Sequence, residues 1–81
     1  MERLINYLKD NYDCNDYLLD EFERVILLNK SKGRKLIIRI NEDTYSDCIY
    51  ESRIKENNKY LATDRSNFEH LTNIVIRIFM E

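Results

Sequence analysis

Between Asp10 and Glu23 stand six carboxylates and no base: Asp10, Asp13, Asp16, Asp20, Glu21 and Glu23. Carboxylates gathered this way hold a metal, meet a basic partner, or simply solvate a surface. Asp13, Asn15 and Asp16 open like a calcium loop. The position that needs glycine then holds Leu18, and that of the closing glutamate holds Arg24, so no calcium site is expected. What remains is electrostatic: an acidic surface that enters a basic groove on a partner protein, or imitates a nucleic-acid backbone. Tyr12 and Tyr17 flank the acidic turn Asp13-Cys14-Asn15-Asp16 within the run, and tyrosine is favoured at interfaces because it offers area and a hydrogen bond at little entropic cost. The expected partner-binding set is Asp10, Tyr12, Asp13, Asp16, Tyr17, Asp20 and Glu21, with Glu42 and Asp43 second.

The next stretch reverses the sign. From Arg24 to Arg39 there are six bases and no acid: Arg24, Lys30, Lys32, Arg34, Lys35 and Arg39. Lys30, Lys32, Arg34 and Lys35 crowd around Gly33, and several cations on one loop can clamp phosphates. The alternative function is therefore a small nucleic-acid-binding or regulatory domain using those four side chains. Against it stand a net charge of −2 and the absence of an aromatic close to the turn. A solvated hairpin tip has the same composition.

Covalent chemistry has little support. Cys14, Cys48 and His70 could supply a thiol and an imidazole, but a nucleophile needs its base within hydrogen-bond reach, and spacing does not establish that. One His and two scattered Cys make no zinc pattern. The sole glycine, Gly33, cannot build a phosphate loop, a dinucleotide fingerprint or a nucleophile elbow. No catalytic residue, metal or cofactor is expected.

The elements that position these charges follow from periodicity. With 81 residues the chain forms one domain, residues 1–81. Leu4, Tyr7, Leu8 and Tyr12 recur at helical spacing and predict a helix over 2–12. Residues 17–28 admit helix or strand; Val-Ile-Leu-Leu favours a hairpin turning at Ser31-Lys32-Gly33. A three-residue loop would pair Leu28 with Leu36, Ile26 with Ile38 and Arg24 with Ile40. That register puts Ile26, Leu28, Leu36, Ile38 and Ile40 in the core. Val25, Leu27 and Ile37 then lie on a second face fit for a partner or a homodimer. Asn41 to Thr44 reads as a turn, Tyr45 to Ile54 as a strand, Asn57-Asn58 as a primed turn setting Ile54 opposite Leu61, and Tyr60 to Thr63 as a short return strand. Ser66 and Glu69 match a capping box. The last helix would bury Phe68, Leu71, Val75, Ile78 and Phe79. The expected fold class is α+β: a small antiparallel three- or four-stranded meander sheet with an N-terminal and a C-terminal helix on one face.

Two resemblances bear on function. Helix, three-stranded meander and helix is the order of double-stranded-RNA-binding domains, whose Gly- and Lys-rich motif at the last helix is replaced here by Asp64-Arg65-Ser66-Asn67. Leu36-Ile37-Ile38-Arg39-Ile40-Asn41-Glu42-Asp43 resembles the first strand and turn of small acidic anti-CRISPR proteins. That resemblance implies a phage-encoded inhibitor whose acidic side chains occupy the nucleic-acid site of a host nuclease; the basic hairpin tip departs from it. Frequent Asn, Ile, Lys and Tyr point to an AT-rich genome. With no signal peptide and no apolar run of membrane-spanning length, the expected setting is the host cytoplasm and the expected state a monomer or homodimer. The leading expectation is a non-enzymatic inhibitor that binds a host defence protein.

Overall fold

A computed structural model describes residues 2–41 and 49–81. Helix α1 (Glu2–Asn11) turns Leu4 and Leu8 inward, and Tyr12 N–H extends it by donating to the Leu8 carbonyl at 2.8 Å. It stops where Asp13 Oδ1 accepts from Asn15 N–H and Asp16 Oδ2 accepts from Asp13 N–H. Such local side-chain bonds offer the backbone a turn in place of a further helical bond.

Five strands follow: β1 (Tyr17–Leu19), β2 (Val25–Asn29), β3 (Arg34–Asn41), β4 (Ile49–Glu56) and β5 (Lys59–Ser66). They form one antiparallel meander in sequence order. The sheet thus has one strand more than the largest number expected. The ambiguous stretch 17–28 is not helical; it is two strands around a turn at Asp20. Asp20 closes that turn alone, its Oδ1 accepting from the N–H groups of Phe22 and Arg24 and its Oδ2 from Arg24 Nε.

The β2–β3 pairing corrects the sequence reading. Asn29 faces Arg34, Leu27 faces Leu36 and Val25 faces Ile38. Four residues, Lys30 to Gly33, form the connection instead of three, with Gly33 at φ 63° where an L side chain would be strained. Strand side chains alternate, so one residue of slip exchanges the two faces. Val25 and Leu27, expected outside, are fully buried; Ile26 and Leu28, expected in the core, are half-buried on the other face. Leu36 and Ile38 are core residues as expected, and Ile40 packs against the core.

The Asn57-Asn58 turn has the primed geometry, φ 48° and 68°, and sets Glu56 opposite Lys59. A β-bulge then intervenes, so Ile54 faces Ala62 and not Leu61. The return strand runs to Ser66. The C-terminal helix is capped by Asn67, whose Oδ1 accepts from His70 N–H at 2.9 Å. Ser66, expected as that cap, donates its hydroxyl to Asp64.

This last helix, residues 68–80, is α-helical at both ends and π-helical over Leu71–Ile76. Thr72 Oγ1 donates back to the Phe68 carbonyl, and the β-branched run Ile74-Val75-Ile76 lies within the wide turn. A π turn advances each residue through a smaller angle than an α turn, so the inward stripe falls one position later. Ile76 and Phe79 are buried, while Ile78, expected in the stripe, is exposed.

Leu4 and Leu8 of α1, Leu71, Ile76 and Phe79 of the last helix, and Val25, Leu27, Leu36, Ile38 and Tyr50 of the sheet make one core. Both helices therefore cover the same face of the sheet. Each fully buried aliphatic side chain contributes about 1.5–3 kcal/mol. Tyr7 sets its ring edge-on to Phe68, Arg3 lies 4.0 Å over that ring, and Tyr50 packs against it, which ties helix to helix to β4. Asn29, also buried, donates from Nδ2 to the Phe79 carbonyl at 2.6 Å, closing the helix end onto β2. Among the described residues no helix is long and apolar enough to cross a membrane.

Candidate functional site

The other face of the sheet carries the chemistry. Its residues follow from the register in three rows running across the strands. One row is Leu28, Lys35, Lys55 and Tyr60; the next is Ile26, Ile37, Arg53 and Thr63; the third continues past β2 with Arg24, then Arg39, Glu51 and Arg65. The β1–β2 side is apolar, and the β3–β5 side is cationic. Six bases stand here with one carboxylate in the rows, Glu51.

Their pairing is unequal. Arg39 and Arg65 share Glu51, at 2.6 and 3.8 Å, and Arg24 is held by Asp20 at 2.7 Å. Among the described residues Lys35, Arg53 and Lys55 have no carboxylate partner. Lys35 and Lys55 are directly opposed across β3 and β4. Like charges in that position are destabilising, so the arrangement costs the free protein stability. Arg53 and Lys55 lie 5.8 and 5.3 Å from the centre of the Tyr60 ring. A shallow cleft of about 520 Å³ opens among these side chains, its walls including Arg24, Arg39, Arg53, Arg65 and Tyr60 and its floor Ile37.

The hydrogen bond from Arg39 is the largest influence on Glu51, followed by one from Asn41; together they hold its carboxyl below the usual range. Partial burial pushes Asp20 up, but the hydrogen bonds from Arg24 and Phe22 outweigh it and leave Asp20 lowered as well. Both are charged at neutral pH, and Glu51 is the local counterweight to the arginines.

The bulge decides the composition of this face. In an unbulged hairpin Leu61 would oppose Ile54, and every later residue of β5 would turn over. With the bulge, Thr63 and Arg65 point to the open face, and Asp64 lies on the helix side opposite Ser52. A single extra residue thus brings Arg65 into the row of Arg39 and Glu51 and puts Asp64 in register with Ser52 instead.

Comparison with known protein families, curated proteins and solved structures finds no match.

The expected acidic set is only partly assembled. Asp10, Asp13 and Glu21 are exposed; Asp16 is half-buried and bound to the Asp13 backbone; Asp20 is spent on its turn. Glu42 and Asp43, with the expected turn after Asn41 and the strand residues Tyr45 to Cys48, lie outside the described residues. Tyr12 and Tyr17 pack against the core. Burial, followed by Tyr7, raises the Tyr12 phenol above its ordinary range. The exposed member of the described tyrosines is Tyr60, 58% accessible, which lies in the expected return strand and outside the expected partner-binding set.

The basic tip is divided as well. Lys30 and Lys32 sit in the turn, Lys35 reaches the open face, and Arg34 lies on the helix side paired with Glu56 at 3.3 Å. The four do not form one clamp. Cys14 is exposed and free. The homodimer face of Val25, Leu27 and Ile37 does not exist either, since the first two are core. A cue to the real face lay in the alternation of β4, where Glu51, Arg53 and Lys55 share one side.

Proposed function

We propose that this chain is a non-enzymatic binding domain that takes the phosphate backbone of a nucleic acid on the sheet face opposite its helices. The observation that carries the reading is the opposed pair Lys35 and Lys55 beside Arg53, three cations without carboxylate partners among the described residues, flanked by the arginines around Glu51. A protein keeps like charges opposed at a cost in stability where an anionic ligand relieves them. Phosphates meet such a surface by displacing counterions, and net acidity elsewhere does not prevent it because charges beyond about 8–10 Å are screened. Retention of a labelled nucleic acid, lost in the double variant Arg53→Glu/Lys55→Glu with circular dichroism unchanged, tests the reading. Unaltered binding by that variant overturns it. Relative to the sequence expectation, the nucleic-acid role moves from the hairpin tip to the sheet face.

A second reading keeps the inhibitor role. Leu18, Leu19 and Phe22 are each exposed at the β1 edge and the turn that follows it, near the exposed carboxylates Asp13, Glu21 and Glu23, and the nearby Arg24 is neutralised by Asp20. An edge with exposed apolar side chains among carboxylates suits a basic surface on a host protein such as a nuclease. In this reading the chain is a phage or mobile-element protein acting in the host cytoplasm. Asp13→Lys/Glu21→Lys would then abolish inhibition of the captured target, and Arg53→Glu/Lys55→Glu would not.

A further inference from the structure

We infer that the ligand of the sheet face is a single strand, with one base stacked on Tyr60; this rests on the nucleic-acid reading above and narrows it. Three observations lead there. First, Tyr60 is more than half exposed at the β5 end of its row, and its neighbours on the face are Lys55 and Arg53. A phosphate drawn to those cations brings its base within reach of the ring. Second, the bulge beside Tyr60 leaves Leu61 exposed as well, so an aromatic and an aliphatic residue are exposed side by side in sequence on the edge strand. Phosphates alone have no use for such a pair, whereas a base offers it an apolar face.

Third, the surface is the wrong shape for a duplex. Groove readers insert a helix or a projecting ribbon. Both helices here are packed on the far side of the sheet, and among the described residues what faces out is a sheet surface with a shallow cleft. A duplex would touch it through phosphates only and leave Tyr60 without a role. A single strand can lay its backbone along Lys35, Lys55 and Arg53 and turn a base onto the ring. Stacking of this kind tolerates any base, so the expected ligand is sequence-tolerant single-stranded DNA or RNA.

Fluorescence anisotropy with a labelled mixed-sequence single strand and with the duplex of equal length tests this. The single strand is expected to bind more tightly, and Tyr60→Ala to weaken it by about tenfold or more without affecting the duplex. Tyr60→Phe should keep the affinity, because the ring and not the hydroxyl is used. The chain has no tryptophan, so tyrosine emission is directly observable. Addition of the single strand should quench it in the native chain and quench it less in Tyr60→Ala. Equal binding of duplex and single strand, or wild-type affinity in Tyr60→Ala, overturns the inference while leaving a phosphate-binding face intact. Absence of binding to either nucleic acid overturns both readings, as does equal competition by polyglutamate, which would mark an acidic protein as the occupant.

Discussion

Leu27→Ala and Leu28→Ala form a pair that tests which face of β2 is buried. Leu27 has no accessible surface and touches the core between Leu36 and the helices. Truncating such a leucine removes its transfer energy and leaves a cavity, together about 2–5 kcal/mol. A domain of 81 residues has about 4–12 kcal/mol of stability in all, at ~0.05–0.15 kcal/mol per residue. Leu27→Ala should therefore remove a large share of the total and lower Tm by at least about 8 °C. Leu28 is half-buried on the open face opposite Lys35. Its truncation exposes no cavity, and about 1 kcal/mol is expected from half of a leucine's burial. Urea unfolding followed by circular dichroism, with equal m-values in both variants, reads the difference. If Leu28→Ala costs as much as Leu27→Ala, or more, the register is the three-residue-loop one and the rows described for the open face are wrong.

Other variants probe single contacts. Asn29→Ala leaves the Phe79 carbonyl without its buried donor and should cost about 1–3 kcal/mol by chemical denaturation. Gly33→Ala keeps ordinary contact distance to Asn57 but forces a side chain into left-handed backbone, for a loss of about 1–2 kcal/mol in the same assay. Asp20 and Glu51 have lowered carboxyls in the folded chain, so their stabilisation is complete above the ordinary carboxylate range and is lost as pH falls through the lowered values. Tm should therefore drop on acidification through and below that range, and Asp20→Asn should flatten the drop in a pH series of thermal melts. Glu51→Gln removes the carboxylate between Arg39 and Arg65; it should lower stability at pH 7 yet raise nucleic-acid affinity in a titration, two effects of opposite direction.

The class of fold and most of its elements were legible because they follow from period and turn chemistry. Leu4 and Leu8 mark α1 at helical spacing, Asn57-Asn58 supply positive φ without strain, and Tyr50 and Ser52 share the inward side of β4 as alternation requires. What was not legible depends on single inserted residues. The extra residue in the Lys30–Gly33 connection turned β2 over, the bulge at Leu61 turned over the rest of β5, and the π turn put Ile76 into the helix stripe and Ile78 out of it, with Phe79 kept. Neither hydrophobicity nor propensity fixes these, since Val-Ile-Leu-Leu is apolar on both faces and either register buries a leucine. The candidate site suffered most, because a face is defined by parity. Arg53, Lys55, Tyr60 and Arg65 come together only once the β4–β5 register and its bulge are known, whereas the acidic run could be read directly yet is partly consumed by its own turns.

The most direct measurement is the salt dependence of binding to a labelled single-stranded oligonucleotide, compared between the native chain and Arg53→Glu/Lys55→Glu. For single strands the slope of log affinity against log salt is about −0.7 per phosphate neutralised. Binding that weakens steeply with salt in the native chain, and a slope shallower by about 1.4 in the variant, is the expected result. Affinity independent of salt, or the same slope in both proteins, would show that the cations of the open face do not hold phosphate.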